Sequence, residues 1–153
     1  MKRGKQRRMM KKRKQMLGLL AVGVGALAAL GLLAYFALSD DGSDGVTVEV
    51  IMPAELSDEA EKGESLFKAN CQACHGPKAA GTKLGPPLIH DIYNPGHHSD
   101  KAFYLAAAIG VRQHHWPYGD MPAQPQVTEA DVALIIRYIR ELQEANGIVY
   151  KAH

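Results

Sequence analysis

The most informative stretch of this sequence is Cys71-Gln72-Ala73-Cys74-His75. Two thiols three positions apart, followed directly by an imidazole, form the attachment signature of a c-type haem. The spacing has a chemical reason, because each cysteine can add across one vinyl group of the porphyrin to form a thioether. The next residue then lies beneath the iron, where a neutral imidazole nitrogen can bind it. The motif occurs once, so we predict one covalent haem c.

Three other uses of the cysteine pair compete with this interpretation. A thioredoxin-like dithiol needs a strand–turn–helix setting in an α/β pattern, and the sequence around residue 71 shows none. A zinc site would need a later pair such as His97-His98 or His114-His115, but adjacent histidines fit no common zinc module. A disulfide across three-residue spacing would be strained. Haem attachment is therefore the favoured reading.

A basic segment and a long apolar run come first in the sequence. Residues 1–16 hold nine of the 18 Lys and Arg residues and no acidic residue. A basic arm can indicate nucleic acid, but this one directly precedes an apolar run, so we expect a membrane-topology signal and no nucleic-acid partner. From Met16 to Leu38 there are 23 residues without a charge, and roughly 20 apolar residues span the hydrocarbon core. We predict a basic cytoplasmic segment (1–16) and a single transmembrane helix (17–38).

The charge asymmetry also predicts an orientation. Basic flanks stay in the cytoplasm, which sends everything after Leu38 across the membrane. The alternative is a cleaved signal peptide, whose apolar region is normally about 7–15 residues long. Ala37-Leu38-Ser39 would serve as a small-x-small cleavage site, but the length of the apolar run favours a retained anchor.

The remainder is predicted to be a linker (39–56) and an all-α haem domain (57–150). The linker is polar and rich in turn formers, although residues 46–51 alternate and could form a short strand without a partner. Helical periodicity, capping residues and helix stops predict three helices. Their predicted bounds are Ser57 to about Asn70, Ser99 to Gly110, and Thr128 to Asn146. The long irregular stretches 76–98 and 111–127 need something to pack against, and a haem would supply that core.

The opposite face of the iron could take Met121, which lies on a loop rich in Pro and Gly. A thioether is a soft ligand that favours Fe(II) and raises the reduction potential, which suits electron transfer. Taken alone, however, an isolated Met-Pro dipeptide would favour a loop methionine that simply fills the core. An imidazole from His114, His115 or the pair His97-His98 is the alternative ligand, and it would lower the potential.

Several polar side chains precede Met121 and could satisfy the haem propionates. Arg112 and Trp116 are donors of the kind that buried carboxylates need, so we predict that both contact the haem. His114 and His115 could contribute in the same way, or could lie on the surface.

Four motifs occur in an order that resembles class I cytochromes c, in particular their membrane-anchored bacterial members. The match covers about residues 57–146. The motifs are Gly63-x-x-Leu66-Phe67-x-x-x-Cys71-Gln72-Ala73-Cys74-His75-Gly76, Gly85-Pro86-Pro87-Leu88, Gly119-Asp120-Met121-Pro122, and Tyr138 in the last helix.

The resemblance implies the class I cytochrome c fold and a role for each matching residue. Cys71 and Cys74 would form the thioethers. His75 would be the proximal ligand, donating its Nδ1–H to the carbonyl of Pro86, and Met121 would be the distal ligand. It also implies that Gly63 lets the first helix approach the last one closely, near Tyr138.

By this resemblance we expect an electron carrier that is not an enzyme by itself. It would lie in a bacterial cytoplasmic (inner) membrane, with its haem domain on the periplasmic side. Single electrons would pass from a quinol–cytochrome c oxidoreductase to a terminal oxidase or photosynthetic reaction centre. Two alternatives stay open: a cytochrome subunit of a larger oxidase or dehydrogenase, and a haem-based sensor or peroxidase-like enzyme with a labile sixth ligand.

Overall fold

Four α-helices form the framework of the haem-domain residues that the structure describes. The computed structural model describes residue 10 and residues 45–152. Within residues 45–152, the α-helices are α1 (Asp58–Asn70), α2 (Gln72–His75), α3 (Asp100–Ile109) and α4 (Glu129–Ala145), and two short 3-10 helices span Pro77–Ala79 and Asp91–Tyr93. These residues contain no β-strand, only an isolated bridge between Val111 and Met121. The predicted all-α class is confirmed for them.

The predicted membrane segment cannot be compared with the described residues. The transmembrane helix (17–38) and residues 39–44 of the linker lie outside them, as does the basic segment (1–16) apart from Met10. Among the described helices, none is long and apolar enough to cross a membrane.

The helix starts follow from local capping. Ser57 accepts a hydrogen bond from the Ala60 amide at the start of α1. At the start of α4, Thr128 and Asp131 form a capping box, in which each side chain accepts from the other residue's amide. Such caps satisfy amides that have no partner within the helix. Ser99 occupies the predicted cap position of α3, but its side chain makes no capping bond.

Close contact between α1 and α4 forms the core. Gly63 is buried, and a Cβ added to it would clash with the backbone carbonyl of Leu134 and lie 3.0 Å from Tyr138 Cβ. The rings of Phe67 and Tyr138 pack beside this contact with their centroids 5.6 Å apart. The predicted approach of the first and last helices at Gly63 is confirmed.

The predicted linker boundary at residue 56 is wrong, because residues 45–56 belong to the same compact unit as the haem domain. The Val48 amide donates to the Ala80 carbonyl at 2.9 Å. The Asn146 side chain accepts from the Ile51 amide at 2.9 Å and donates to the Ile51 carbonyl at 2.8 Å. Val48 and Val50 pack against the core. The short strand suggested for 46–51 does not form, because its backbone bonds go to a loop carbonyl and a side-chain amide.

Two polar side chains of α4 hold the first long loop in place. Gln143, which is fully buried, donates to the carbonyls of Leu88 (2.9 Å) and Tyr93 (3.2 Å). Arg140 donates to the carbonyls of Tyr93 (2.9 Å) and His98 (2.6 Å). The loop therefore has a defined course between Leu88 and His98, although its regular secondary structure is limited to the 3-10 helix Asp91–Tyr93.

Candidate haem site

An apolar cavity of about 510 Å³ is lined by residues from all four helices and from both long loops. Its wall includes every site residue that was predicted from the sequence. These are Cys71, Cys74, His75, Pro86, Arg112, Trp116 and Met121.

The attachment motif forms a single helical turn directly after α1. Cys71 ends α1 by donating its amide to the Phe67 carbonyl at 2.8 Å, and His75 donates its amide to Cys71 at 3.0 Å. Burial, together with the neighbouring Cys74, raises the pKa of the Cys71 thiol to about 11. Cys74 is exposed, and neither cysteine forms a disulfide. The disulfide alternative is therefore not realised.

His75 is buried, with one ring nitrogen committed to the backbone. Its Nδ1 lies 2.9 Å from the Pro86 carbonyl oxygen. Because a carbonyl only accepts, Nδ1 carries the proton and Nε2 keeps its lone pair. Burial lowers the pKa of His75, although the bond to Pro86 opposes this effect. The imidazole is therefore neutral at pH 7, the form that binds a metal. The predicted hydrogen bond to Pro86 is confirmed.

Met121 is held against the end of α3. Its amide donates to the Val111 carbonyl and its carbonyl accepts from the Val111 amide, both at 2.9 Å. Gly110, which ends α3, has a φ of +77°, and a Cβ there would clash with the Met121 carbonyl. This pairing places Met121 on the cavity wall that also includes His75.

Residues 60–143 match the family model described as Cytochrome c. The chain belongs to the cytochrome c family. This cytochrome therefore carries covalent haem c, and its function is electron transfer. Its helical, strand-free described region fits the all-α cytochrome c fold. No solved structure matches the chain significantly.

The polar atoms at the rim of the cavity fit a haem. Trp116 Nε1 is buried and makes no hydrogen bond of normal geometry among the described residues. Its indole lies near the hydroxyl of Tyr93, where burial raises the pKa of the phenol to about 12 and the indole N–H opposes this effect. An unpaired buried N–H costs about 1–3 kcal/mol, and a propionate oxygen would satisfy it. Arg112 lines the same cavity and is a charged donor for a carboxylate.

The cytochrome also brings together the histidines that the sequence offered as alternative iron ligands. His98, His114 and His115 line the cavity. One ring nitrogen from each of His97, His98 and His115 lies within 4.8 Å of the others. From the sequence these were two separate dipeptides, and nothing in their spacing predicted that they would form one cluster.

Proposed function

We propose that this cytochrome is a membrane-tethered, monohaem electron carrier that uses His75 and Met121 as axial iron ligands. The observation that carries the proposal is the convergence of the attachment motif, His75 and Met121 on one apolar cavity. Cys71 and Cys74 would form the two thioethers to the haem.

The roles of His75 and Met121 follow from their chemistry. The Pro86 carbonyl fixes the His75 tautomer and increases the basicity of Nε2, as outer partners of metal-binding histidines do. The Met121 thioether is a soft donor that favours the reduced iron. When bound, haem supplies a one-electron Fe(III)/Fe(II) couple. The apolar residues of α4 on the cavity wall, among them Ile135, Ile136 and Ile139, limit access of water to that couple.

The membrane tether rests on the sequence of residues 1–38. The uncharged run from Met16 to Leu38 is long enough to span a bilayer, and its basic flank favours a cytoplasmic N-terminus. We propose a single-pass protein of the bacterial inner membrane with its haem domain in the periplasm. Its partners would be a quinol–cytochrome c oxidoreductase as donor and a terminal oxidase or reaction centre as acceptor.

A redox titration followed by optical spectra tests the ligand assignment. The oxidised protein should show the weak far-red charge-transfer band from sulfur to iron. Met121→His should lose this band and lower the midpoint potential, because imidazole favours the oxidised iron more than a thioether does.

Met52→Leu is the matched control, because Met52 packs against the core and is absent from the cavity wall. It should keep both the band and the potential. An optical spectrum that Met121→Ala leaves unaltered would assign the distal position to another residue, with His115 and His114 tested next.

A further inference from the structure

Outside the proposed iron ligands, four histidines from two loops lie side by side. His97 and His98 precede α3, and His114 and His115 precede Met121. The ring centroids of His97 and His115 are 5.2 Å apart, as are those of His98 and His115. The Nε2 atoms of His97 and His115 approach to 3.3 Å.

This last distance suits a shared metal ion. Two nitrogens that bind a tetrahedral zinc ion at about 2.0–2.1 Å lie roughly 3.3–3.4 Å apart, whereas neighbouring nitrogens of a square-planar ion lie about 2.8–3.0 Å apart. Without a metal, the same two nitrogens form a long hydrogen bond, which a shared metal ion would replace.

His98 has the hydrogen bond expected of a metal ligand. Its Nδ1 lies 2.7 Å from the Ile92 carbonyl. Because that carbonyl only accepts, the proton is on Nδ1, and Nε2 is the nitrogen that can bind a metal. A backbone carbonyl on the second nitrogen is the usual way in which a metal-binding imidazole is oriented.

The backbone of both loops is fixed by hydrogen bonds, which lowers the cost of ordering a site. The buried Asn94 accepts the amides of His97 and His98 at its backbone carbonyl, at 3.0 and 2.9 Å, and Arg140 binds the His98 carbonyl. In the second loop the Asp120 side chain accepts from the Gln113 amide at 2.8 Å. The backbone that carries the three histidines is therefore ordered without the metal.

We propose that His97, His98 and His115 bind one zinc ion at the edge of the haem cavity. Three nitrogen ligands leave a fourth position for water, the coordination of an open tetrahedral zinc site. Two of the ligands, His98 and His115, also line the haem cavity. The added positive charge stabilises the reduced iron, so bound zinc raises the midpoint potential of the haem.

Isothermal titration of the full-length haem protein with zinc chloride tests the site. One zinc ion should bind the wild type. His97→Ala should weaken binding by at least about 100-fold, more than the loss of an outer partner costs, without changing the haem spectrum, because His97 is absent from the described cavity wall. His90→Asn is the control: it removes an imidazole outside the cluster and keeps an acceptor for the Ile92 amide that His90 caps.

Equal zinc affinity in the wild type and His97→Ala would overturn the site, as would the absence of zinc binding to the wild type. His115→Ala should lose zinc affinity in the same way. If it also alters the haem spectrum, the result for His97→Ala alone decides whether the site exists.

The second measurement is the midpoint potential of the haem with and without zinc. By linkage, if zinc binds the reduced protein ten times more tightly than the oxidised protein, saturating zinc raises the midpoint potential of the haem by about 59 mV. If saturating zinc leaves the midpoint potential of the haem unchanged, the zinc ion does not lie at the edge of the haem cavity. Both measurements assume that His115 does not bind the haem iron, and the optical spectrum of Met121→Ala tests that point separately.

Discussion

Gly63 is the residue at which the packing of α1 on α4 is most demanding. Gly63→Ala should destabilise the protein by about 1–3 kcal/mol and Gly63→Val by more, because any Cβ meets the backbone of Leu134 and overpacked cores cost this much. Helix propensity acts in the opposite direction, since Gly is about 1 kcal/mol worse than Ala in a helix. Denaturant unfolding of the haem protein measures the net change in its free energy of unfolding.

Ser65→Ala is the control for this prediction, because Ser65 is an exposed position in the same helix, where Ala should be neutral or stabilising. A stabilising effect of Gly63→Ala would mean that the two helices can separate at little cost.

Gln143 is a second buried residue whose replacement should destabilise the protein. Gln143→Leu should destabilise the protein by about 1–3 kcal/mol, because the buried carbonyl of Leu88 would lose its donor and unsatisfied buried groups cost this much. Gln126→Leu, at an exposed position, should change stability little. Urea unfolding of both variants measures the difference. Equal urea midpoints for Gln143→Leu and Gln126→Leu would contradict the prediction.

The attachment residues of the candidate site could be predicted because haem attachment depends on local spacing, whereas Pro86 and Met121 were implied by the family resemblance. Cys71, Cys74 and His75 are neighbours in sequence, and their chemistry follows from that order alone. The histidine cluster could not be predicted, because His97 and His115 are 18 positions apart and meet only through the courses of two loops. The same holds for Gln143, which in the sequence is one polar residue on a helix but is fully buried in the structure.

At the scale of helices, Glu141 connects the start of α1 to α4. Its carboxylate accepts the Ser57 amide at 3.0 Å and the Ser57 hydroxyl at 2.7 Å, and it pairs with Arg137 at 2.8 Å. Burial raises the pKa of Glu141, but the bonds from Ser57 and the charge of Arg137 outweigh it, so the pKa lies below its ordinary value.

The sign of the resulting pH dependence follows from linkage. A carboxyl with a lowered pKa in the folded state contributes stability above its unfolded pKa of about 4.3, and this contribution is lost as the pH falls through the folded value. Glu141→Gln should therefore destabilise the protein at about pH 7 and much less at about pH 3. Urea unfolding at both values measures this, with Glu144→Gln, an exposed residue of α4, as control. A loss of stability that is the same at both pH values would exclude the charge of Glu141 as its cause.

The helices were more predictable than the segments between them. The bounds of α1 and α4 follow from capping residues and periodicity that act within a few positions. Residues 45–56 were misread as a linker because their partners are distant, as in the bonds between Ile51 and Asn146, 95 positions apart. Asn146 was recognised only as a helix stop, although its amide side chain also binds this segment.

For the whole molecule, the proposed anchor makes a prediction about cell fractions. The full-length protein should pellet with membranes and keep residues 1–38, whereas a chain that lacks them should be released with the same spectrum and midpoint potential. The reason is that the described haem domain begins beyond residue 38 and makes its own core. Mass spectrometry of the mature N-terminus is the measurement. A mature protein that begins near Asp40 would establish a cleaved signal peptide instead.

The partial burial of Cys71 has a consequence for how the protein is made. Addition to a vinyl group needs a nucleophilic sulfur, and the thiolate is the reactive form of cysteine. With a thiol pKa of about 11 in the folded chain, very little thiolate exists at neutral pH. The bond at Cys71 should therefore form early, on a chain whose first and last helices have not yet closed together. Folding would then complete the biogenesis of the protein by enclosing a porphyrin that is already attached.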